Sequence, residues 1–269
     1  MKEIGQGSHG NVSEYIDLRS GVRVAVKEVV ASEQSYGFHK AYAREMAVLR
    51  QLHSPNVVRL IDVCALPQKA FIIMEICDYD LVNIHQQVSF SVTECHHIGL
   101  QIFHGVRAIH AAGVLHRDIK PANILVRTDG GIKIGDFGLS RSRQSRSKVY
   151  TNEVQTLWYR CPEILRGATL YDDKVDIWSV GALIAELLTD DPLFPGTSVV
   201  EQIEMIDKFE VQECFAQYPA EVTELMAQTL CVDTKERISA SEALITSSWL
   251  RKAPVNRLRE ILALMPRNN

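Results

Sequence analysis

The chain has 269 residues, 46% of them hydrophobic and 23% charged, with a formal net charge of −4. That length can bury a full core and suits one or two compact domains, and the balance is ordinary for a soluble protein. It gives no reason to expect a nucleic-acid or membrane surface, and no apolar run approaches the ~20 residues of a membrane span. The six cysteines (Cys64, Cys77, Cys95, Cys161, Cys214 and Cys231) include no C-x-x-C pair, and the opening Met1-Lys2-Glu3-Ile4 lacks the apolar stretch of a signal peptide. These features predict an intracellular protein with reduced thiols and no zinc site.

Gly5-Gln6-Gly7-Ser8-His9-Gly10-Asn11-Val12 fits G-x-G-x-x-G-x-V, in which glycines let the backbone bend close over phosphate oxygens. At a strand-to-helix turn the same glycines would suggest a dinucleotide fold; here Val12 and a second strand follow. That strand is predicted over 21–30, where valines alternate, and it carries Val24-Ala25-Val26-Lys27. Residues 40–52 place Ala43, Met46, Ala47, Leu49 and Leu52 at helical spacing, and 70–77 read as another strand. Beyond residue 80, Ile98, Ile102, Phe103, Val106 and Ile109 form one helical stripe, and Ile177, Val180, Leu183, Ile184 and Leu187 another. Strand-rich sequence to residue 77 and helix-rich sequence after it predict an α+β chain of two lobes, hinged near 75–80. Arg141–Lys148 is basic and serine-rich and reads as an exposed loop, with Ser142, Ser145 and Ser147 as candidate phosphorylation sites.

The chemistry is carried by His116-Arg117-Asp118-Ile119-Lys120-Pro121-Ala122-Asn123, followed thirteen residues later by Asp136-Phe137-Gly138. Phosphoryl transfer from ATP needs a base for the acceptor proton, a magnesium-holding carboxylate and an amide oxygen for a second magnesium; this stretch supplies all three at the spacing of a protein-kinase catalytic loop. With Lys27 seventeen residues after Gly10, the order of motifs resembles that of eukaryotic-type protein kinases over nearly the whole chain.

The resemblance implies a bilobal kinase domain over 1–250, with an N-lobe of about 1–77, a C-lobe of about 78–250 and a tail of 251–269. It implies ATP and Mg2+ as cofactors. Asp118 becomes the base, Lys120 the cation that neutralises the transferring phosphoryl group, Thr156 the residue that bonds Asp118, and Asn123 and Asp136 the metal ligands. ATP would be held by Ile4, Gly5, Gln6, Gly7, Ser8, His9, Gly10, Asn11 and Val12, by Ala25 and by Lys27, which Glu45 keeps in place. Met74 would border the back of the adenine pocket, Glu75 and Cys77 would face the adenine edge with their backbones, and Leu125 would lie beneath the ring. Lysine at position 120 resembles the loop of serine/threonine kinases.

Leu157-Trp158-Tyr159-Arg160-Cys161-Pro162-Glu163 resembles the T-x-W-Y-R-A-P-E of cyclin-dependent and mitogen-activated kinases, with cysteine for alanine. Arg160 then shapes a pocket favouring proline after the phosphorylated residue, so Ser-Pro or Thr-Pro substrates are implied. Tyr150-Thr151 reverses the Thr-x-Tyr order of mitogen-activated kinases and matches the cyclin-dependent pattern, with Thr151 phosphorylated by an activating kinase. Arg44, Arg117 and Arg141 stand where that family keeps the three arginines that hold its phosphothreonine. Glu163 and Arg237 would form a buried ion pair, and Asp176-Ile177-Trp178 continues the match.

The resemblance further implies a cyclin-like regulatory subunit on the 40–52 helix, a nuclear or cytoplasmic location, and a role in cell-cycle or transcription control, where the Ser-Pro-rich tail of RNA polymerase II would be a natural substrate. It implies no nucleic-acid or membrane partner. The chain departs from the family at other places besides Cys161. Ala43 replaces the isoleucine that buries in the cyclin, His9 stands where cell-cycle members carry an inhibitory tyrosine, and the stretch from Gly196 to Arg237 is short. The competing readings are a catalytically silent kinase fold that binds a cyclin-like partner, and a mitogen-activated-type kinase.

Overall fold

The structure, a computed structural model, describes residues 2–7, 10–30, 40–66, 69–142 and 157–265, with backbone alone at 2, 6, 7, 10, 30 and 40–44. Strands Lys2–Gly7 (β1), Gly10–Ile16 (β2), Arg23–Val30 (β3), Leu60–Ala65 (β4) and Lys69–Glu75 (β5) form an antiparallel sheet in the order β1-β2-β3-β5-β4. The strand expected from residue 21 begins at Arg23. Gly21, at φ +70°, belongs to the preceding turn and donates its N–H to Asp17 O at 2.8 Å.

Period-two alternation puts Ala25, Lys27 and Val29 on one face of β3, and all three are buried. They lie opposite Met74, Ile72 and Ala70 of β5, which are buried too. Register therefore turns Lys27 inward, onto an otherwise apolar face. Helix Lys40–Leu49 (α1) lies against that face, with Val48 and Leu49 joining Val29 and Ile72 in the core. The apolar spacing runs on to the buried Leu52, yet the helix ends at Leu49. Gln51 N–H tightens onto Val48 O at 3.0 Å, and Pro55 disfavours helical geometry at Ser54.

After β5 the chain is mostly helical. Tyr79–Asp80 (β6) leads into Leu81–His85 (α2) and then Val92–Ala111 (α3), whose first turn is closed by a capping box between Ser91 and Glu94. Val114–Leu115 (β7), Ile124–Val126 (β8), Ile132–Ile134 (β9) and Arg141–Ser142 (β10) make two small sheets, β6-β8-β9 and β7-β10. The catalytic motifs lie in the segments between these strands. Pro162–Leu165 (α4), Lys174–Thr189 (α5), Val199–Asp207 (α6), Val211–Cys214 (α7), Ala220–Thr229 (α8), Ala240–Thr246 (α9) and Leu258–Leu264 (α10) complete the fold.

Both predicted stripes are fully buried, one on α3 and one on α5. Helix α5 is apolar on nearly every side and packs against α3 and α8, which makes it the central helix of this part. Leu258 and Leu262 of α10 are also buried, so the C-terminal segment closes back on the helical core. The architecture is α+β, a β-rich N-terminal part followed by a helical remainder, as the sequence pattern predicts. Among the described residues, no helix is long and apolar enough to cross a membrane.

Candidate active site

Lys27 Nζ donates to both Glu45 oxygens at 2.9 Å and lies 3.3 Å from Asp136 Oδ1. Three charged groups thus meet between β3, α1 and the segment after β9. Burial works against the Lys27 ammonium, but the Glu45 and Asp136 carboxylates outweigh it and hold its pKa above the ordinary value. Burial would likewise raise Asp136, yet Lys27 and the N–H of Gly138 hold that carboxyl below its usual range. Asp136 therefore stays ionised beside the lysine.

In the catalytic loop, Asn123 Nδ2 donates to Asp118 O at 2.7 Å and to Asp118 Oδ2 at 2.8 Å, and Lys120 Nζ lies 3.1 Å from Oδ2. Both Asn123 bonds use the amide nitrogen, so the amide oxygen remains to accept. Asp118 Oδ1 is buried and has no hydrogen-bond partner among the described residues. A carboxyl group with one oxygen fixed by two donors and the other left bare is the arrangement a proton acceptor needs.

Arg117 (φ 71°) and Asp136 (φ 52°) both adopt left-handed backbone, which costs a non-glycine residue about 1–3 kcal/mol. The first is held by the fully buried Asp176, whose oxygens accept the N–H of His116 at 2.9 Å and of Arg117 at 2.7 Å. His110 Nε2 lies 2.8 Å from the same carboxylate, which fixes its N–H on that nitrogen. Burial alone would raise Asp176, but the bond from His110 and the surrounding donors hold it below the carboxylate range. His116 bridges the two motifs. Its Nε2–H donates to Gly135 O at 2.9 Å, its Nδ1 accepts the Asp118 N–H at 3.3 Å, and its ring packs edge-to-face with Phe137, the ring centres 4.8 Å apart.

The loop after residue 156 is pinned from α5. Tyr159 OH donates to Glu186 Oε2 at 2.6 Å, and Ser179 Oγ donates to Tyr159 O at 2.8 Å. Arg160 follows, partly exposed. Arg237, fully buried, donates to both Glu163 oxygens at 2.7 and 3.0 Å, as well as to Cys231 O and Lys174 O.

The other residues expected to hold the nucleotide are placed by the sheet and its register. Val12 lies opposite Lys27, Ala25 opposite Met74, and Gly5 has open space where a side chain would project. Ile4 and Asn11 are exposed, Leu125 on β8 is partly buried, and Gln6, Gly7 and Gly10 belong to the β1–β2 hairpin. Burial pushes the Cys77 thiol up to about 12, so it is no nucleophile. Arg117 reaches Leu139 O at 3.4 Å and lies 5.7 Å from the Tyr171 ring, and Arg141 starts β10, paired with Leu115. Ser8, His9, Thr151 and Thr156 lie outside the described residues, as does the side chain of Arg44. Sequence reasoning gave no role to Asp176, His110 or Asn56, whose partners are dozens of residues away in the chain.

Residues 1–250 match the family model for the protein kinase domain. Among curated proteins, the CTD kinase subunit alpha of Schizosaccharomyces pombe is 39% identical over 209 residues, covering 77% of this chain and 35% of that protein. Cyclin-dependent kinase 12 of Caenorhabditis elegans is 33% identical over 294 residues, with 93% and 40% covered. Cell division control protein 2 homolog 3 of Trypanosoma brucei brucei is 40% identical over 205 residues, with 76% and 66% covered. The chain thus spans from about a third to two thirds of the length of these relatives. The match over the whole kinase domain, with these relatives and the closed Lys27–Glu45–Asp136 cluster, makes the chain a member of the protein kinase family and, within it, of the cyclin-dependent kinases.

Proposed function

We propose that the chain is an ATP-dependent serine/threonine kinase of the cyclin-dependent type, acting on Ser-Pro or Thr-Pro segments in cell-cycle or transcription control. The observation that carries this reading is Asp118: Oδ2 is held by Asn123 and Lys120, while the buried Oδ1 has no partner among the described residues. The donor set fits MgATP. Asp136 offers an ionised carboxylate, Asn123 an amide oxygen, and Lys27 an ammonium already anchored by Glu45. Oxygen ligands of this kind suit magnesium. When bound, MgATP supplies the phosphoryl group and neutralises the charge that develops on it.

Asn123 and Asp136 would hold the metal, and Lys27 would bind the α- and β-phosphates. Asp118 Oδ1 accepts the hydroxyl proton of the substrate serine or threonine and orients its oxygen for in-line attack. Lys120 faces the same space and offsets the charge on the transferring group. Thr156, which the family pattern pairs with Asp118, lies outside the described residues, and Arg160, on the loop pinned through Tyr159, would favour proline after the acceptor residue. Arg44, Arg117 and Arg141 hold a phosphate on Thr151, placed there by an activating kinase. A cyclin-like subunit binds α1, and the protein works in the nucleus or cytoplasm. The lobes run over 1–77 and 78–250, with 251–269 as the tail.

Transfer of labelled phosphate from MgATP to paired Ser-Pro and Ser-Ala peptides, with and without partners co-purified from native extract, tests the substrate class. Labelling of the Ser-Pro peptide alone is expected. Equal labelling of both removes the proline preference.

A further inference from the structure

Strand β9 ends two residues before Asp136, and the N-terminal part grips it at all three of its positions. Asn56 Nδ2 donates to Ile132 O at 3.1 Å. Lys133 Nζ meets Glu75 Oε1 at 2.7 Å. Ile134 N–H donates to Asn56 O, and Ile134 O accepts the Val58 N–H, both at 2.9 Å. Residues 56–58 lead from α1 into β4, and Glu75 ends β5, the strand that runs into the hinge. Two separate stretches of the N-terminal part therefore close on one short strand.

The grip is stiff and shielded. Glu75 Oε1 also accepts the Arg59 N–H at 2.7 Å, so Lys133 meets a carboxylate already fixed in place. The side chains of Lys133 and Glu75 are 9% and 12% exposed; loss of Lys133 would leave Glu75 only the longer ionic contact with Arg127 Nη1, 3.8 Å from Oε2. Gln101 Oε1, on α3, accepts from both Asn56 Nδ2 at 3.2 Å and Ile132 N–H at 2.9 Å. Only Gly135 separates this clamp from Asp136, and its N–H is held by Asn123 O at 2.9 Å. A displacement of β9 passes directly to a carboxylate that has little conformational slack at φ 52°.

We propose that Asn56 and the Glu75–Lys133 ion pair are positioning residues for Asp136. They tie β9 to the N-terminal part so that the metal-binding carboxylate arrives beside Lys27. The proposal rests on the reading of Asp136 as a magnesium ligand. None of the three side chains needs to touch the metal: they act through the strand, as residues outside a metal's own ligands commonly do.

The test measures ADP binding to the full chain by calorimetry with and without Mg2+, and amide hydrogen exchange of the nucleotide-free protein. In Lys133→Met, the gain in ADP affinity caused by Mg2+ should shrink about tenfold, while metal-free affinity stays within about twofold of wild type. Exchange at the Ile134 and Gly135 amides should quicken about tenfold. Lys133→Arg should restore both, and Asn56→Ala, if it folds, should reproduce the loss. An undiminished magnesium gain in Lys133→Met, even with a lowered melting temperature, would reduce the clamp to a stabilising contact and overturn the proposal. A wild-type chain that binds ADP with no magnesium gain would overturn the magnesium reading itself, and the proposal with it.

Discussion

Glu45 holds Lys27 through both carboxylate oxygens, at 2.9 Å each, in a space where neither side chain is more than 4% exposed. A lysine turned into an apolar sheet face is stable only with a counter-charge, and α1 supplies it. Removal of the lysine alone should therefore be far more damaging than removal of both, whereas Lys27 keeps Asp136 when Glu45 alone is lost.

Lys27→Met should lose about 3–5 kcal/mol in urea unfolding, because it strands the buried Glu45 carboxylate; Glu45→Gln leaves Lys27 with Asp136 at 3.3 Å and should lose less. The double change to Lys27→Met with Glu45→Met should recover most of the Lys27→Met loss. Phosphoryl transfer should stay down by a factor of at least about 10² in all three variants, since a phosphate-binding cation is gone or misplaced. Additive stability losses in the double variant would contradict the pairing.

Asp176 has a pH signature. Its pKa is held below the ordinary 3.8, so its contribution to stability is complete above 3.8 and is lost as pH falls through the lower folded value. Asp176→Asn should cost about 3 kcal/mol at pH 7, where the carboxylate accepts several charge-assisted bonds. The gap between wild type and variant should narrow below pH 3.8. Urea titrations at neutral and acid pH measure it directly.

Arg237 donates in four directions from a fully buried position, two of its bonds going to Glu163. Lysine cannot reproduce that fork. Arg237→Lys should thus lose about 3 kcal/mol or more in thermal or chemical unfolding, close to the loss in Arg237→Leu.

Gly105 sits on α3 beneath Asn56, and a Cβ there would lie 2.7 Å from Asn56 O and 2.7 Å from Ile134 Cδ1. Alanine would gain about 1 kcal/mol of helix propensity. Overpacking against a backbone oxygen costs about 1–3 kcal/mol, and here it wins. Gly105→Ala should lower the melting temperature; a rise would mean that the 56–58 segment yields easily.

Much of this was legible in the sequence because the kinase motifs are contiguous and local. Lys27, Asp118, Asn123 and Asp136 stand in motifs whose resemblance to protein kinases names them, and the stripes on α3 and α5 follow from helical periodicity. Helix α1 was read three residues too long because Leu52 remains in the core after the backbone has turned. The supports were not legible. Asp176 reaches His116 across 60 positions, and although both stand in matched motifs nothing in the sequence pairs them; Glu75 reaches Lys133 across the hinge with no periodic or motif signal at all. Glu75 illustrates the gap well: its backbone was expected at the adenine edge, while its side chain carries the grip on β9.

The central claim is that Asp118 accepts the hydroxyl proton, and the measurement closest to it is single-turnover transfer from MgATP to a Ser-Pro peptide by wild type and Asp118→Asn. Asparagine keeps the shape and the contact with Asn123 but cannot take a proton. The transfer step should fall by about 10²–10⁴-fold, with nucleotide affinity nearly unchanged. Transfer at the wild-type rate in Asp118→Asn would contradict it, and the base would have to be sought elsewhere in the cleft.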